Sequence, residues 1–217
     1  MILVEQLGLF CNELDIANAA RVSHGAKHAT FEKSDENLIK FLLKNNHKSP
    51  FYHAHIQFRI KMPIFVARQW FRHHVGFARN EVSKRYTEEV MGYWFPPSDI
   101  WRAANKTNKK KGSDPEETVR SIKCQAIYES ALNEANAAYN YLIENGVSRE
   151  QARAVLPQAT FTEFIETGSL WAYINLIKER TTDDAQKEIR EYAEMIREHL
   201  RKKYPITINF LFPQSPS

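Results

Sequence analysis

Glycine is scarce, with seven in 217 residues. None builds G-x-G-x-x-G or G-x-x-x-x-G-K-[ST], so neither of the glycine-rich backbone cradles for a dinucleotide or a triphosphate is available. Any phosphate bound here must be held mainly by side chains. Cysteine is scarcer still: Cys11 and Cys124 are the only two, and no C-x-x-C occurs. That argues against a thiolate zinc site and a redox pair. Long apolar runs are missing too. The longest uncharged one, Met62 to Ala67, falls far short of the roughly 20 residues that span a bilayer. Glu5, Glu13 and Asp15 interrupt the apolar start of the chain, and no basic stretch precedes them, unlike a secretory leader. A cytoplasmic protein with no membrane partner is the expectation. Charge of one sign is also lacking. The net value of +4 suits an anionic ligand but does not choose between a small nucleotide and a nucleic acid.

Hydrophobic residues make up 43% and charged residues 26%, near globular averages, which argues against wholesale disorder. No internal repeat or linker divides the chain, so one domain over residues 1–217 is expected. Lysines 106, 109, 110 and 111 mark a basic surface loop at about 102–114. Residues 1–12 alternate weakly, as a strand would. Ser34 opens an expected helix that stops at Asn45-Asn46. In 53–61, Ala54, Ile56, Phe58 and Ile60 alternate with His53, His55, Gln57, Arg59 and Lys61, the period of a strand. Pro63 begins an expected helix to about His73, and His74 to Tyr86 reads as an ordered loop. Asp114, Pro115 and Glu117 announce a long helix ending at Gly146. Ser148 and Gln151 form a second capping box, for a short helix stopping before Pro157. Phe161 to Thr167 reads as a strand, and Gly168 opens a helix to about Arg180. Asp183 caps a last helix with Ala185, Ile189, Tyr192, Ala193, Ile196 and Leu200 as its apolar stripe. Ile206 to Phe210 reads as an edge strand. Long helices with non-sequential, hairpin-like strands predict an α+β fold, its central sheet mostly antiparallel and flanked by long helices.

The segment from Arg68 to Tyr86 concentrates chemistry. It holds four arginines, His73, His74, Gln69, Asn80, Glu81 and Ser83, interleaved with Trp70, Phe71, Phe77 and Tyr86. Buried cations are costly without partners, so the segment either meets solvent or surrounds anions. On an expected helix, Gln69 and Arg72 share a face, as do Arg68 and Arg72. Arginine forks match phosphate oxygens in pairs. Ser83 and Arg85 can hold the same phosphate, and Asn80 can both donate to and accept from a pyrimidine edge. A nucleotide site, a nucleic-acid surface and a purely structural network all remain open from these residues. Five of the eight histidines lie between 47 and 74, yet no H-E-x-x-H occurs and no carboxylate has matching spacing, so no metal ligand is assigned.

The segment resembles the signature of the flavin-dependent thymidylate synthases, R-Q-W-x-R-H-R…N-E-x-S-x-R-Y. Arg68 to His73, Asn80-Glu81, Ser83 and Arg85-Tyr86 match it. The similarity runs along most of the chain. Ala19-Ala20-Arg21-Val22-Ser23 is similar to the family's A-A-R-V-S, and His47-Lys48-Ser49-Pro50-Phe51 to its H-x-[ST]-P-[FL]. Arg149 to Pro157 is similar to its R-x-x-A-R-x-x-L-P. The resemblance implies conversion of dUMP to dTMP. Methylenetetrahydrofolate would be the carbon donor, and FAD reduced by NADPH the hydride carrier. It also implies a homotetramer with active sites at subunit interfaces. Nucleic acid is not an expected partner, although a diverged nucleotide- or RNA-binding module without catalysis is the alternative.

The same resemblance assigns residues. Arg180 occupies the place of the arginine that polarises the pyrimidine and is the expected catalytic residue. Ser49, Arg72, His73, His74, Glu81, Ser169, Asn175 and His47 fall at FAD-contacting positions, and the stretch to Trp171 belongs with Ser169. Gln69, Arg72, Glu81, Ser83, Arg85, Arg153 and Arg180 fall at dUMP positions. The chain departs from the family pattern in five places, one being the stretch Ser169 to Trp171, which lacks the asparagine and arginine frequent there. His74 replaces the second arginine of R-H-R, with Arg79 as a candidate replacement for the lost charge. Eight residues rather than seven separate His74 from Ser83. Tyr52 stands where an acidic residue is frequent, and Asp184 where a histidine is.

Overall fold

A computed structural model describes residues 2–96, 101–102 and 121–213. In chain order the elements are β1 (Leu3–Phe10), α1 (Glu13–Arg21), α2 (Lys33–Lys44), α3 (Ser49–Tyr52), β2 (His55–Pro63), α4 (Ile64–Trp70), β3 (Phe77–Glu81), α5 (Ser121–Glu144), α6 (Arg149–Ala152), β4 (Phe161–Ser169), α7 (Leu170–Arg180), α8 (Lys187–Lys203) and α9 (Pro205–Leu211). The basic loop and the Asp114 cap expected from sequence lie outside the described residues. No described helix is long and apolar enough to cross a membrane.

The strands form one sheet in the order β1-β2-β4-β3. Residue pairings give their direction. Glu5 meets Arg59 and Gly8 lies beside Gln57. Gln57 meets Thr167, while the Ile64 N–H donates to the Thr160 carbonyl. Arg79 meets Glu166, while the Val82 N–H donates to the Glu163 carbonyl. In each pair one number rises as the other falls, so neighbours are antiparallel. This is the α+β architecture expected from sequence. The alternation in β2 is as anticipated: Ile56, Phe58, Ile60 and Met62 are fully buried. Burial of each contributes about 1.5–3 kcal/mol.

Tertiary contacts gather the chain into two compact units. One is built mainly from Lys61–Phe71 and Glu81–Phe164. Within it Phe71 and Phe164 pack edge to face at 4.9 Å. The Tyr139 hydroxyl donates to the Glu88 carbonyl at 3.2 Å. Gly146 ends α5 as anticipated. Its φ of +79° lets its N–H reach Ile143 O and the Val147 N–H reach Leu142 O, the paired bonds of a left-handed helix stop. Ser148 precedes α6, but its hydroxyl donates to the Gln151 side chain rather than accepting from backbone.

The second unit comprises Leu3–Ile60, Arg72–Asn80 and Ile165–Ser217. Tyr173 is its aromatic hub, 5.4 Å from Phe58 and 4.9 Å from Phe77. The stripe expected on α8 is buried at Ile189, Tyr192, Ala193, Ile196 and Leu200. Arg21 and His28 both bond the buried Asp35 carboxylate, which also accepts the Glu32 N–H at 2.7 Å. Burial alone would raise the Asp35 carboxyl. The bonds from Glu32, His28 and Arg21 outweigh it and hold the group below its usual range.

Several boundaries differ from the sequence expectation. Glu32, not Ser34, precedes α2, because Asp35 reaches back to the Glu32 N–H. Ser169 caps α7 while Gly168 stays in β4. Gln186, not Asp183, precedes α8. Asp183 instead pairs with Arg190 at 3.7 Å. The supposed edge strand 206–210 is helical, lying within α9. Pro205 at its first position sets φ for a helix start, and the buried Glu13 carboxylate of α1 accepts the Thr207 N–H at 2.8 Å. That acceptor is 194 residues away, so local β-branching could not reveal the helix.

Candidate active site

The motif segment does not form one continuous helix. The Phe71 N–H makes the closing bond to Ala67 O, and α4 ends at Trp70. Arg72 therefore lies beyond it, and the shared helical face expected for Gln69, Arg68 and Arg72 does not exist. The stretch expected as a loop contains β3. Its alternation was hidden because on one face only Phe77 is apolar, while Arg79 and Glu81 are charged and matched by partners on β4. The buried Glu166 carboxylate pairs with Arg79, and the Thr162 hydroxyl donates to Glu81 at 2.6 Å. Arg79 also lies over the Phe77 ring at 4.7 Å. Its charge is thus matched inside the sheet, which corrects the idea that it substitutes for the arginine missing at His74.

In the unit containing Arg72–Asn80, a turn carries Arg72, His73 and His74 into β3. Gly76 makes that turn possible. Its φ is +81°, and its carbonyl accepts the Ser169 N–H at 3.1 Å. A Cβ there would sit 3.0 Å from Ala172 Cβ and 3.3 Å from Ser169 Oγ. Gly76→Ala is expected to cost about 1–3 kcal/mol through the left-handed backbone and the crowded contact. Chemical unfolding would measure this, and parent-like stability would mean that the turn can be built without glycine.

The turn places His73 against the last residue of α7. Arg180 Nε donates to His73 Nε2 at 2.7 Å. The imidazole is 11% exposed, and its Nδ1 lies 3.9 Å from Glu179. Burial first, then the neighbouring Arg180 charge, pushes the His73 pKa down. Glu179 opposes this, and Arg79 adds to it. His74 is exposed, and its Nδ1 lies 3.0 Å from Arg72 O. Since a carbonyl only accepts, that nitrogen carries the proton.

Other expected cofactor residues occupy the same unit. Ser169 is 3% exposed, and its oxygen accepts the Ala172 N–H at 3.2 Å, so this side chain is engaged as a helix cap. Ser49 on α3 and Asn175 on α7 are exposed, and those two helices pack together. His47 is exposed and edge-on to Phe41. Lys48 and Lys178 lie 5.5 and 5.3 Å from the Trp171 ring. Neither lysine was singled out from sequence. The signal available for Lys178 was its spacing of three from Asn175 and seven from Trp171, one helical face.

The other unit holds the remaining expected nucleotide residues. Gln69 is half-buried on α4, and Glu81 is exposed where β3 ends. The Ser83 hydroxyl oxygen accepts the Arg85 N–H at 3.3 Å. Arg85 lies 3.6 Å from Glu150, while exposed Arg153 donates from Nε to the Glu150 carbonyl at 3.4 Å. Arg149 Nε donates to Glu88 at 2.8 Å. Arg85, Tyr86, Glu88, Arg149 and Glu150 line a cavity of about 440 Å³, a size suited to a small ligand.

A charge count separates structural from available arginines. Arg21 and Arg79 face buried carboxylates, whereas Arg85 and Arg149 make exposed pairs that a ligand can displace. Among the described residues no carboxylate pairs with Arg72, Arg153 or Arg180. Arg180 is half-buried, and its bonded partner is an imidazole whose Nε2 accepts from it and whose charging burial disfavours. A partly desolvated guanidinium without a counter-charge favours an anionic or strongly accepting ligand. No group of three histidine, cysteine or carboxylate side chains forms a metal site among the described residues.

The family model described as thymidylate synthase complementing protein matches residues 10–206. A flavin-dependent thymidylate synthase of Thermosipho africanus is 38% identical over 205 residues, covering 94% of this chain and 87% of that one. One from Thermus thermophilus is 37% identical over 204 residues, covering 94% and 72%. Among solved structures, a UMP/dUMP methylase from Streptomyces cacaoi bound with 5-Br dUMP superposes with a TM-score of 0.85. It is 27% identical and covers 97% of this chain and 94% of that one.

Proposed function

The chain belongs to the flavin-dependent thymidylate synthase family, and from that premise we propose that it methylates dUMP to dTMP with methylenetetrahydrofolate as carbon donor and NADPH as reductant. The observation that carries this reading is Arg180, a half-buried arginine without a carboxylate partner among the described residues, in a chain whose family match spans residues 10–206. We assign it to the pyrimidine edge. Uracil is a weak nucleophile at its 5-carbon. A guanidinium against the ring stabilises the negative charge that develops when N3 ionises, and this activates that carbon. Arg153, Arg85 and Ser83 are assigned to the phosphate, and Gln69, Arg72 and Glu81 to the rest of the nucleotide.

Bound FAD supplies the hydride that completes the methyl group. We assign the residues that hold it to Arg72, His73, His74, Glu81, Ser49, Asn175, His47 and the neighbourhood of Trp171, with Lys48 and Lys178 offsetting its phosphates. Ser169 serves through its helix cap, which fixes the start of α7. We further propose one catalytic domain working in the cytoplasm as a homotetramer, its active sites completed by neighbouring subunits.

The test is direct. The purified protein should be yellow or take up added FAD. With NADPH, dUMP and methylenetetrahydrofolate under anaerobic conditions it should produce dTMP. A protein that stays colourless with added FAD, or makes no dTMP, overturns the proposal.

A further inference from the structure

We propose that His73 is a positioning residue for Arg180: its Nε2 accepts the arginine Nε–H and turns the two terminal amino groups of the guanidinium toward the pyrimidine. This deepens the reading of Arg180 above and rests on it.

The bond is 2.7 Å long. For Nε2 to accept, the ring must be neutral with its proton on Nδ1. Glu179, 3.9 Å from Nδ1, favours that tautomer. The ring is 11% exposed, and burial together with the Arg180 charge disfavours a second proton. The charged groups facing the ring are Arg180 and Glu179 from α7 and Arg79 from β3. Arg79 is itself paired with Glu166.

A carboxylate in this position would orient Arg180 equally well, but it would neutralise the charge that the reaction uses. A neutral imidazole fixes the fork and leaves its full positive charge. The same turn grips both ends of α7, through Gly76 O to the Ser169 N–H at its start and through His73 to Arg180 at its end. The guanidinium is thereby referenced to the rigid helix and to the motif turn together.

A pH signature follows. The His73 pKa lies below its ordinary value, which is about 6.5. Above the lowered value the ring accepts from Arg180. As pH falls through it, the ring gains a proton, cannot accept, and repels the guanidinium. Turnover and dUMP affinity are therefore expected to fall together on an acid limb centred below the ordinary histidine range.

Full-length, FAD-loaded protein tests this with three readouts: kcat for dTMP, calorimetric Kd for dUMP across pH, and the ¹⁵N spectrum of the histidine ring. His73→Phe should lower kcat per bound flavin on the order of 10²-fold through misplacement of Arg180, a loss much larger than any fall in flavin content. His73→Gln, whose amide oxygen can accept from Arg180, should recover most of that loss and abolish the acid limb in dUMP affinity. The parent ring should show Nδ1–H with an accepting Nε2. Parent-like turnover in His73→Phe, flavin lost in proportion to turnover, or an unchanged acid limb in His73→Gln would each overturn the proposal. If the parent makes no dTMP, the proposed function falls, and the ring spectrum with the pH dependence of dUMP affinity then decides the pairing by itself.

Discussion

Arg180→Ala is expected to lower kcat for dTMP formation by about 10²–10³-fold, the usual cost of removing one donor that stabilises developing charge. Folding and flavin content should change little, and the structure gives the reason. Arg180 is half-buried at the end of α7, bonded to His73 and to no carboxylate among the described residues. Its removal orphans no buried anion. The helix loses one favourable cation in its last turn, about 0.3–1 kcal/mol, and Lys178 remains in that turn. Arg180→Lys keeps the charge but loses the planar fork. It cannot both bond His73 and present two parallel donors, so it should fall between alanine and the parent. Steady-state kinetics at saturating dUMP, flavin absorbance and thermal unfolding measure the three quantities. Equal losses of flavin and turnover would move Arg180 to a structural role.

Glu166→Ala should have the largest effect on stability. Its carboxylate is fully buried and pairs with Arg79, whose side chain is 13% exposed. Truncating one partner of a buried pair leaves the other charge uncompensated and costs about 3–5 kcal/mol. For a chain of this size that is roughly 6–20 °C in Tm. The pair joins β3 to β4 beside Tyr173, whose phenol burial holds well above its ordinary pKa, so a freed cation there finds little water. Arg79→Met combined with Glu166→Leu removes both charges and should recover much of the loss. Thermal unfolding of the two single variants and the double variant checks this. A Glu166→Ala variant close to parent stability would mean that the charges are solvated, and the account of β3 given above would fail.

That account also explains how far the sequence could be read. The period of two in β2 and the stripe on α8 were legible because each buries apolar side chains on one face, and apolar residues announce burial by themselves. In β3 one face carries Phe77, Arg79 and Glu81, a single apolar side chain followed by two charged ones. Their burial or engagement depends on partners 87 and 81 residues away, so the segment looked like a loop. The α9 segment looked like a strand because Ile206 and Ile208 alternate with Thr207. The acceptor that starts the helix belongs to Glu13, at the other end of the chain. Asp183 looked like a cap because its type suits one, yet it is spent on Arg190.

The residues alone determined the family and the chemistry it needs: a glycine-poor chain with clustered arginines holds anions by side chains. Composition and motif spacing survive any rearrangement of the surroundings. Which arginines remain available was decided only by the fold. Arg79 and Arg180 are the same residue type, but one meets the buried carboxylate of Glu166 and the other the neutral imidazole of His73. Coulomb energy depends on distance through space and on access to water, and neither can be counted along a chain.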